Sequence, residues 1–538
     1  MTQTDYHLPA LSPPRAMLRA CKRAIFRWKT VDTAGAKLTG GQLLMRSLVV
    51  RRMLARELLG ADEKQIGVLL PPSNGAVVVN AALALDRRVA VNLNYSVTEA
   101  VMNACVRKAG IRHVLTSRKV VDKLDMKIDA EVVCLEDLRD KATLADKALG
   151  ALGAYATPSA LLERRLGLHT TSMDDLLTVI FTSGSTGEPK GVMLTHANIA
   201  SNIDAMHRGI DLSKEDVILG ILPFFHSFGY TVTLWTPLAL DLSAVYHFSP
   251  LDARQIGKLS REHGATILLS TPTFLRSYMK RCNPEDFASL EVVVVGAEKL
   301  PISLSDSFEK KFGVRPVEGY GATELSPLVS VNVPACRSHT EGVDSREGSV
   351  GQPVCGVRAR VVDPESREPL AQGEEGMLEI TGPNLMLGYF DDAEKTAAVV
   401  HDGWYVTGDI SVIDPEGFIH ITGRLSRFSK IGGEMVPHVR VEEEIQRFLG
   451  DEEAEAVSAV VTAVPDARKG ERLIVVHKAI DKSPDEIAAH LKAVGVPNLW
   501  IPGNDSYLLV DELPLLGSGK LDLKRLAEVA REHFAAGA

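Results

Sequence analysis

The chain has 538 residues, of which 45% are apolar, so it is long enough for at least two hydrophobic cores and too apolar to be disordered. Its 60 basic and 69 acidic side chains give a formal charge of -9, which excludes the basic footprint of a nucleic-acid-binding protein. The six cysteines lie far apart with no C-x-x-C pair, which argues against a disulfide framework and a zinc site and favours a reducing, cytoplasmic compartment.

The first predicted element is a helix within residues 14–29, PRAMLRACKRAIFRWK, which carry six basic and no acidic side chains. Two interpretations are open. A basic amphipathic helix is typical of peripheral contact with a membrane surface, here the inner face of a membrane. Such a helix more often simply covers the core of its own domain.

Short apolar runs at 65–71, 176–181, 266–270 and 291–296 alternate with helix-like stretches, which predicts parallel sheets covered by helices. Residues 217–240 carry no formal charge over 24 positions, a length that can cross a bilayer. Prolines and glycines interrupt this stretch, so we predict a buried strand, loop and helix and no transmembrane span.

Closely spaced strand candidates within residues 357–421 predict an antiparallel or barrel-like section. The charged stretch GRLSRFSK at 423–430 follows, and the remaining segment reads as strand, helix, strand, helix. We therefore predict two domains, residues 1–423 and 424–538.

The strongest local signal is the loop FTSGSTGEPKG at 181–191, which directly follows a strand candidate. Glycines allow backbone N–H groups to turn inward around an anion, and hydroxyl groups and one ammonium add donors. The candidate phosphate-binding residues are Thr182, Ser183, Gly184, Ser185, Thr186, Gly187 and Lys190. Pro189 stands where a Walker loop needs glycine, so that motif is excluded, and a flexible linker is the alternative.

The second signal is EGYGATE at 318–324, in which Tyr320 offers an aromatic ring, Thr323 a hydroxyl donor and Glu324 a carboxylate for Mg²⁺. A structural loop around a buried tyrosine explains it equally well. The third signal is WYVTGD at 404–409, where Asp409 is able to accept hydrogen bonds from two ribose hydroxyls or is simply a turn aspartate. The fourth is LLGSGK at 515–520, whose Lys520 either offsets phosphoryl charge or is one solvated lysine among many.

These four segments, in this order, resemble the adenylate-forming superfamily of acyl-CoA synthetases, peptide-synthetase adenylation domains and beetle luciferases over roughly residues 36–526. NLNYSVTEAV, LPFFHSFGYTV, VVVGAEKL and SRFSKIGGEMV are similar to the ligase half of the bifunctional acyl-acyl-carrier-protein synthetase / 2-acylglycerophosphoethanolamine acyltransferase. The resemblance implies an α/β fold, with a large N-terminal domain of two α/β subdomains plus a distorted β-barrel, and a small mobile α+β C-terminal domain.

The resemblance also implies roles for single residues. The 182–191 loop would hold the β- and γ-phosphates of ATP, Thr323 the α-phosphate, Glu324 Mg²⁺, and Asp409 the ribose, while Lys520 would bridge the substrate carboxylate and the α-phosphate. His226 would lie beside the acyl carboxylate. The remaining nucleotide-site positions are Gly296, Ala297, Glu298, Glu318, Gly319, Tyr320, Gly321 and Arg424. The hinge would lie near Ser426, and Lys430, Gly432 and Gly433 would enter the site after rotation of the small domain.

The acyltransferase motif H-x-x-x-x-D of the bifunctional relative is absent, since His7 is followed five places on by Ser12, and we expect a stand-alone ligase. The expected reaction forms an acyl-adenylate from a medium- or long-chain fatty acid and passes the acyl group to a phosphopantetheine thiol. Acyl carrier protein is the first expected acceptor and coenzyme A the second. A non-catalytic nucleotide- or fatty-acid-binding protein is the alternative of another class. We expect the acyl pocket near Phe228, Tyr230, Trp235 and the residues after Glu324.

Overall fold

A computed structural model of the chain describes residues 6–182, 188–338, 345–432, 434–450, 457–466, 468–514 and 521–535. Within these ranges the strands form four sheets. The first has a parallel centre with antiparallel edges, as the alternating pattern predicts. Its strands in spatial order are Gln352–Pro353, Leu328–Val331, Val317–Gly321, Val292–Val295, Ile267–Ser270, Val217–Gly220, Ser243–Tyr246, Trp28–Asp32 and Leu38–Thr39.

The second sheet is also mainly parallel, with two antiparallel strands at one edge. Its strands in spatial order are Gly388–Tyr389, Lys190–Thr195, Leu176–Thr182, Val89–Asn92, Gln65–Val68, His113–Thr116 and Glu131–Cys134. The third sheet is antiparallel and confirms the prediction for residues 357–421. Its strands are Arg358–Val362, Gly376–Thr381, Val400–His401, Trp404–Ile413 and Ile419–Arg424.

The fourth sheet belongs to the C-terminal part, with strands Phe428–Ile431, Glu434–Pro437, Ala459–Asp466, Gly470–His477 and Tyr507–Leu509. The predicted order of strand, helix, strand, helix is incomplete here, because both of the first two strand regions are hairpins. In the second hairpin Asp466 pairs with Gly470, whose φ of +83° suits the reversal of the chain.

Helices cover the sheets at the bounds Pro13–Arg23, Gly40–Glu57, Asn74–Leu85, Glu99–Lys108, Arg118–Leu124, Leu135–Asp140, Leu144–Ala151, Ser159–Arg165, His196–Ile210, Thr236–Ala239, Ala253–His263, Pro272–Arg281, Ile302–Phe312, Ala393–Val399, His438–Leu449, Pro484–Ala493 and Leu523–Ala535. Side-chain caps fix several of their starts. Thr195, for example, accepts a hydrogen bond from the backbone N–H of Asn198, whose side chain accepts one from the N–H of Thr195.

The uncharged stretch at 217–240 folds as predicted. The strand Val217–Gly220 leads through a loop into a π-helical turn, Phe228–Trp235, and a short helix. Trp235 and Tyr230 are fully buried within this segment. Among the described residues, no helix combines the length and apolar character that a membrane span requires.

The N-terminal helix packs on the large part of the protein. Met17 and Leu18 on its apolar side are buried in the main core. Arg15 and Arg19 form ion pairs with the buried carboxylate of Glu163, with N–O distances of 2.9 and 2.6 Å. The structure therefore favours the packing interpretation of this helix and gives no support to membrane contact through it, because its apolar and basic groups are both satisfied within the protein.

Candidate active site

The predicted phosphate loop starts from a pair of antiparallel strands in the second sheet. Strand Leu176–Thr182 runs beside strand Lys190–Thr195, and Thr182 lies opposite Lys190 in the register. Buried, β-branched residues such as Val179 and Val192 hold the pair in the sheet. The intervening candidates Ser183, Gly184, Ser185, Thr186 and Gly187 lie outside the described residues.

A tyrosine connects Lys190 to the predicted magnesium ligand. The Lys190 ammonium lies 5.2 Å from the ring centre of Tyr389, within range of a cation–π interaction. The Tyr389 hydroxyl donates a hydrogen bond of 2.7 Å to Oε1 of Glu324. Burial raises the pKa of Tyr389, and the Glu324 carboxylate raises it further. Tyr389 was not among the residues expected from the sequence.

Tyr389 reaches this place because its two-residue strand, Gly388–Tyr389, pairs with Val192 and Met193 at the edge of the second sheet. Nothing in the local sequence LMLGYF indicates which strand it joins, almost 200 positions earlier in the chain. The backbone N–H of Met386 also donates to the carbonyl of Glu324, at 2.8 Å. The segment therefore orients both the backbone and the side chain of Glu324.

The segment around His226 meets the segment around Glu324 through their neighbours. The buried hydroxyl of Ser227 donates to the hydroxyl of Thr323, at 3.3 Å. His226 itself is exposed, and its ring lies against Phe225 with 4.5 Å between the ring centres. The structure thus joins the segment of the predicted acyl-carboxylate residue to the predicted α-phosphate residue through Ser227.

Asp409 is the second carboxylate of the site and is only 4% exposed. It lies opposite Arg424 where two strands of the third sheet pair, and Arg424 Nε donates to its Oδ1 at 2.7 Å. The Tyr320 hydroxyl donates to Oδ2. Burial raises the pKa of Tyr320 well above its usual range, and the Asp409 charge adds to that shift.

The two carboxylates belong to one site. Buried Tyr405 has a raised pKa because of its burial, and the negative charges of Glu324 and Asp409 both raise that pKa further. The two carboxylates are also linked by geometry, because the Tyr320 hydroxyl donates to Asp409 and Tyr320 lies only four positions before Glu324. The EGYGATE segment, which carries Tyr320 and Glu324, therefore contacts the third sheet and the edge of the second.

The glycines of the expected nucleotide site differ in how much room they have for a side chain. A Cβ built on Gly296 would make only ordinary van der Waals contacts, 3.4 Å from the Phe228 ring and 3.5 Å from the carbonyl oxygen of Gly319. A Cβ on Gly321 would come within 2.2 Å of the Pro327 carbonyl oxygen, so that position requires glycine. Ala297 adopts a φ of +69°, which is uncommon for a residue with a side chain.

The two other glutamates of the predicted set have partners within the protein. Glu318 accepts a hydrogen bond of 2.9 Å from the backbone N–H of Leu300, and burial raises its pKa. Glu298 is exposed and accepts a hydrogen bond of 2.9 Å from Thr273. Glu318 thus ties the 296–300 segment to the strand that carries Tyr320.

Lys430 pairs with a residue outside the group formed by Glu324, Tyr389, Asp409, Tyr320 and Arg424. Its ammonium forms an exposed ion pair with Glu365. Lys520, the predicted charge-neutralising residue, and Gly433 both lie outside the described residues. Gly432 has a φ of +60° at the turn between the first two strands of the C-terminal sheet.

The carboxylate arrangement fits a Mg²⁺ ion that is shared with a nucleotide. Among the described residues, no three acidic, histidine or cysteine side chains are grouped as a metal cage. Glu324 is half-buried and has one oxygen held by Tyr389. Mg²⁺ is usually bound by one or two carboxylates together with substrate phosphates and water, so a single carboxylate is sufficient.

An apolar cavity adjoins the adenine border at Phe228. It is enclosed mainly by aliphatic side chains, and its walls include Phe228, Val232, Thr236, Leu328 and Val331. Residues four apart share one face of the helical turn, so Phe228, Val232 and Thr236 face the cavity together. Of the expected lining residues, Phe228 and the region after Glu324 contribute, whereas Tyr230 and Trp235 do not. The volume is about 40 Å³, room for roughly three water molecules, so an alkyl chain requires wall side chains to move.

Comparison with known proteins gives matches over most of the chain. A long-chain-fatty-acid–CoA ligase of Bacillus subtilis is 32% identical over 371 residues, which are 67% of this chain and 62% of that relative. A feruloyl-CoA synthase of an Amycolatopsis species is 32% identical over 354 residues, 65% of this chain and 69% of the relative. The crystal structure of ATP-bound MatB from Rhodopseudomonas palustris superposes with a TM-score of 0.77 at 25% identity, covering 97% of this chain and 99% of that one.

The chain thus spans a little less than two thirds of the Bacillus subtilis relative. The profile of the family described as AMP-binding enzyme matches residues 16–390, which include Thr182, Glu324 and Tyr389. On this match and this fold, the chain belongs to the AMP-binding enzyme family of adenylate-forming proteins.

Proposed function

We propose that this protein is an ATP-dependent acid–thiol ligase that activates a medium- or long-chain fatty acid as an acyl-adenylate and transfers the acyl group to coenzyme A. The observation that carries the proposal is the pairing of Glu324 with Tyr389, and of Asp409 with Tyr320 and Arg424, through one segment that carries both Tyr320 and Glu324. We call the space between these groups the cleft. Each of these groups matches a demand of the chemistry.

In the first step a carboxylate oxygen attacks the α-phosphorus of ATP, and the bond to the β-phosphate breaks so that pyrophosphate leaves with the electron pair. Two anions approach each other, so positive charge must be close to the non-bridging oxygens. Lys520 and a Mg²⁺ ion held by Glu324 would supply that charge, and Thr323 would donate to the α-phosphate. Thr182 and Lys190 would hold the leaving phosphates.

The nucleoside would be held by the other half of the cluster. Asp409 presents an acceptor-only carboxylate for the two ribose hydroxyls, next to Arg424. Tyr320 and the segment Gly296–Ala297 would border the adenine ring. In the second step the thiol attacks the acyl carbonyl carbon, and AMP leaves with the electrons of the carbon–oxygen bond.

The acyl group would enter past His226 and extend into the apolar cavity at Phe228. Its aliphatic walls favour a hydrocarbon over a charged or strongly polar acyl group. Relatives named for long-chain fatty acids support the same class of substrate. Because the cavity is small in this conformation, the preferred chain length depends on how far Phe228 moves.

We further propose that residues 1–423 and 424–538 are separate domains joined at Ser426. Arg424 is bound to Asp409 on one side, and Arg427 is bound to Glu442 on the other, at 2.5 Å. Between them only Leu425 and Ser426 remain, and both are exposed. Rotation about these residues would exchange the C-terminal faces presented to the cleft, as the two steps require.

We propose coenzyme A rather than acyl carrier protein as the acceptor. An acidic carrier protein needs a basic docking surface, but residues 424–538 hold 15 basic and 19 acidic side chains. The local patch that the sequence suggests is also neutralised, since Arg424, Arg427 and Lys430 each pair with a carboxylate. The relatives named above as ligases are named for coenzyme A.

The test is a screen of pyrophosphate release and thioester formation with acids of increasing chain length, each with coenzyme A and with acyl carrier protein. We expect thioester with coenzyme A at one range of chain lengths. Thioester with the carrier protein alone would contradict the acceptor. Nucleotide binding without any acid-dependent pyrophosphate release would support a non-catalytic binding protein instead.

A further inference from the structure

A helical segment that carries none of the candidate site residues exposes an apolar face. Helix Leu144–Ala151 continues directly into a π-helical turn, Leu152–Ala156. Four large side chains on its outer side are exposed, with relative exposures of 84% for Leu144, 46% for Leu149, 50% for Leu152 and 41% for Tyr155. We call these four residues the outer face. Several large apolar side chains exposed on one short segment are typical of a binding surface, unlike isolated exposed leucines.

The opposite side of the segment packs closely on the protein, so the four side chains are not exposed because the helix is detached from the core. Gly150 and Gly153 lie against helix Gly40–Glu57, and a Cβ on Gly150 would come within 2.6 Å of Val49. A Cβ on Gly153 would come within 2.8 Å of Leu48. The glycines bring the backbones close together, and the outer face is held rigidly away from the core.

Other exposed apolar side chains extend the outer face on both sides. Tyr155 and Ile25 meet at Gly41, where a built Cβ would lie 2.6 Å from the tyrosine ring and 2.9 Å from the isoleucine side chain. The residue after Ile25 is Phe26, which is 85% exposed. Leu161, in the following helix, is 43% exposed.

The exposed charges around the outer face are mainly basic, and the exposed Asp140 that precedes Lys141 pairs with Arg139 at 3.5 Å. Between residues 141 and 165 every exposed charged side chain is basic, namely Lys141, Lys147, Arg164 and Arg165. The two acidic residues of this stretch are turned inward. Asp146 is buried and paired with Arg52 and Arg56, and Glu163 is buried and paired with Arg15 and Arg19. This surface is therefore locally positive on a chain whose formal charge is -9.

From this juxtaposition we infer that the outer face binds the surface of an anionic lipid bilayer. The leucines and the tyrosine enter the region between headgroups and acyl chains, while the lysines and arginines at the rim remain at the level of the lipid phosphates. The apolar side of helix Pro13–Arg23 itself is buried, and only Ile25 and Phe26, just after that helix, adjoin the surface. The inference does not depend on which acid the enzyme activates.

A second copy of the chain is a poorer occupant for the same surface. In a two-fold symmetric dimer each patch meets itself, so the four basic side chains of one rim would face those of the other. No exposed acidic side chain between residues 141 and 165 is present to compensate them. Anionic lipid supplies the missing negative charge.

The test is co-sedimentation of the full chain with vesicles of phosphatidylcholine alone or mixed with phosphatidylglycerol, at low and high salt. We expect binding only to the anionic vesicles, and weaker binding at high salt because the rim charges are screened. The double variant Leu149→Gln/Leu152→Gln should lower the partition coefficient by about tenfold or more, since two exposed apolar side chains no longer enter the bilayer. Arg164→Gln/Arg165→Gln should weaken binding to anionic vesicles and reduce its salt dependence.

A matched control is Ile302→Gln/Leu509→Gln, which removes two apolar side chains of 52% and 64% exposure elsewhere. This control should bind vesicles like the unmodified chain. The Leu149/Leu152 variant and the Ile302/Leu509 control should both retain acid-dependent pyrophosphate release with a soluble substrate. Absence of binding to anionic vesicles at low salt would overturn the inference, as would equal binding by the Leu149/Leu152 variant. A concentration-dependent dimer without vesicles that this variant abolishes would assign the outer face to a second copy and overturn it too.

Discussion

Replacing Asp409 with asparagine removes one negative charge from the cleft and keeps the size of the side chain. The buried carboxylate accepts hydrogen bonds from Arg424 and from Tyr320. Arginine has no acceptor, so the amide oxygen of asparagine must stay towards Arg424. The amide N–H₂ then faces Tyr320, whose hydroxyl is able to rotate and accept. We therefore expect a folded variant with a modest loss of stability.

The effect on nucleotide binding should be larger. The carboxylate offers acceptors to both ribose hydroxyls, whereas the amide offers one acceptor and opposes the second hydroxyl with a donor. Losing one charge-assisted hydrogen bond costs about 1.5–3 kcal/mol, which corresponds to an increase of roughly 10- to 150-fold in the Kd for AMP or ATP. Isothermal titration calorimetry with AMP measures this directly.

Asp414→Asn is the matched control. Asp414 belongs to the same part of the protein and also pairs with an arginine, Arg346, while His420 lies 3.0 Å from its carboxylate. Its substitution removes the same charge without touching the cleft, so AMP affinity should stay within about twofold. Unchanged AMP affinity in Asp409→Asn, or an equal loss in the control, would refute the assignment of Asp409 to the ribose.

Two further predictions concern the candidate site, and a third concerns two buried histidines. Tyr389→Phe removes the hydroxyl bound to Glu324, so the Mg²⁺ concentration for half-maximal pyrophosphate exchange should rise about fivefold. AMP affinity measured without metal should change little. An unchanged Mg²⁺ requirement would contradict the positioning role of Tyr389. Lys520→Ala should lose acid-dependent pyrophosphate exchange by at least about a hundredfold while calorimetry still detects AMP binding, and retained exchange would remove Lys520 from the first step. Burial lowers the pKa of His438 to about 3 and that of His196 to about 4, below the value of about 6.5 in an unfolded chain. Only the unfolded state takes up these protons in this pH range, so the free energy of unfolding measured with urea should be greatest above pH 6.5. It should fall by up to about 1.4 kcal/mol per pH unit for each histidine as the pH decreases towards 4. His438→Gln should reduce that slope, and an unchanged slope would refute the lowered pKa of His438.

Local sequence patterns predicted the strands and helices that depend only on residues close together in the chain. The strands at 176–182, 267–270 and 292–295 follow from short runs of buried, β-branched or aliphatic residues. The strand, loop and helix at 217–239 follow from prolines and glycines that a membrane span would not tolerate. The charge of the N-terminal helix alone did not distinguish membrane contact from packing, because its ion-pair partner Glu163 is more than 140 positions away.

Contacts between distant segments were not accessible in the same way. The role of Tyr389 depends on a two-residue strand that joins the edge of the second sheet, and no periodicity marks so short a strand. The hairpin at 459–477 was missed because a charged turn between two apolar runs reads like a single interrupted strand. The cavity walls depend on which side of a π-helical turn faces inward, and that is why Tyr230 and Trp235 pack elsewhere.

The formation of an acyl-adenylate is tested most directly with a fatty acid that carries ¹⁸O in its carboxylate. If a carboxylate oxygen attacks the α-phosphorus and the thiol then attacks the carbonyl carbon, one labelled oxygen leaves with the nucleotide. Mass spectrometry of the products should therefore show one ¹⁸O in AMP and none in pyrophosphate. Label in inorganic phosphate together with formation of ADP, or AMP without label, would contradict the account.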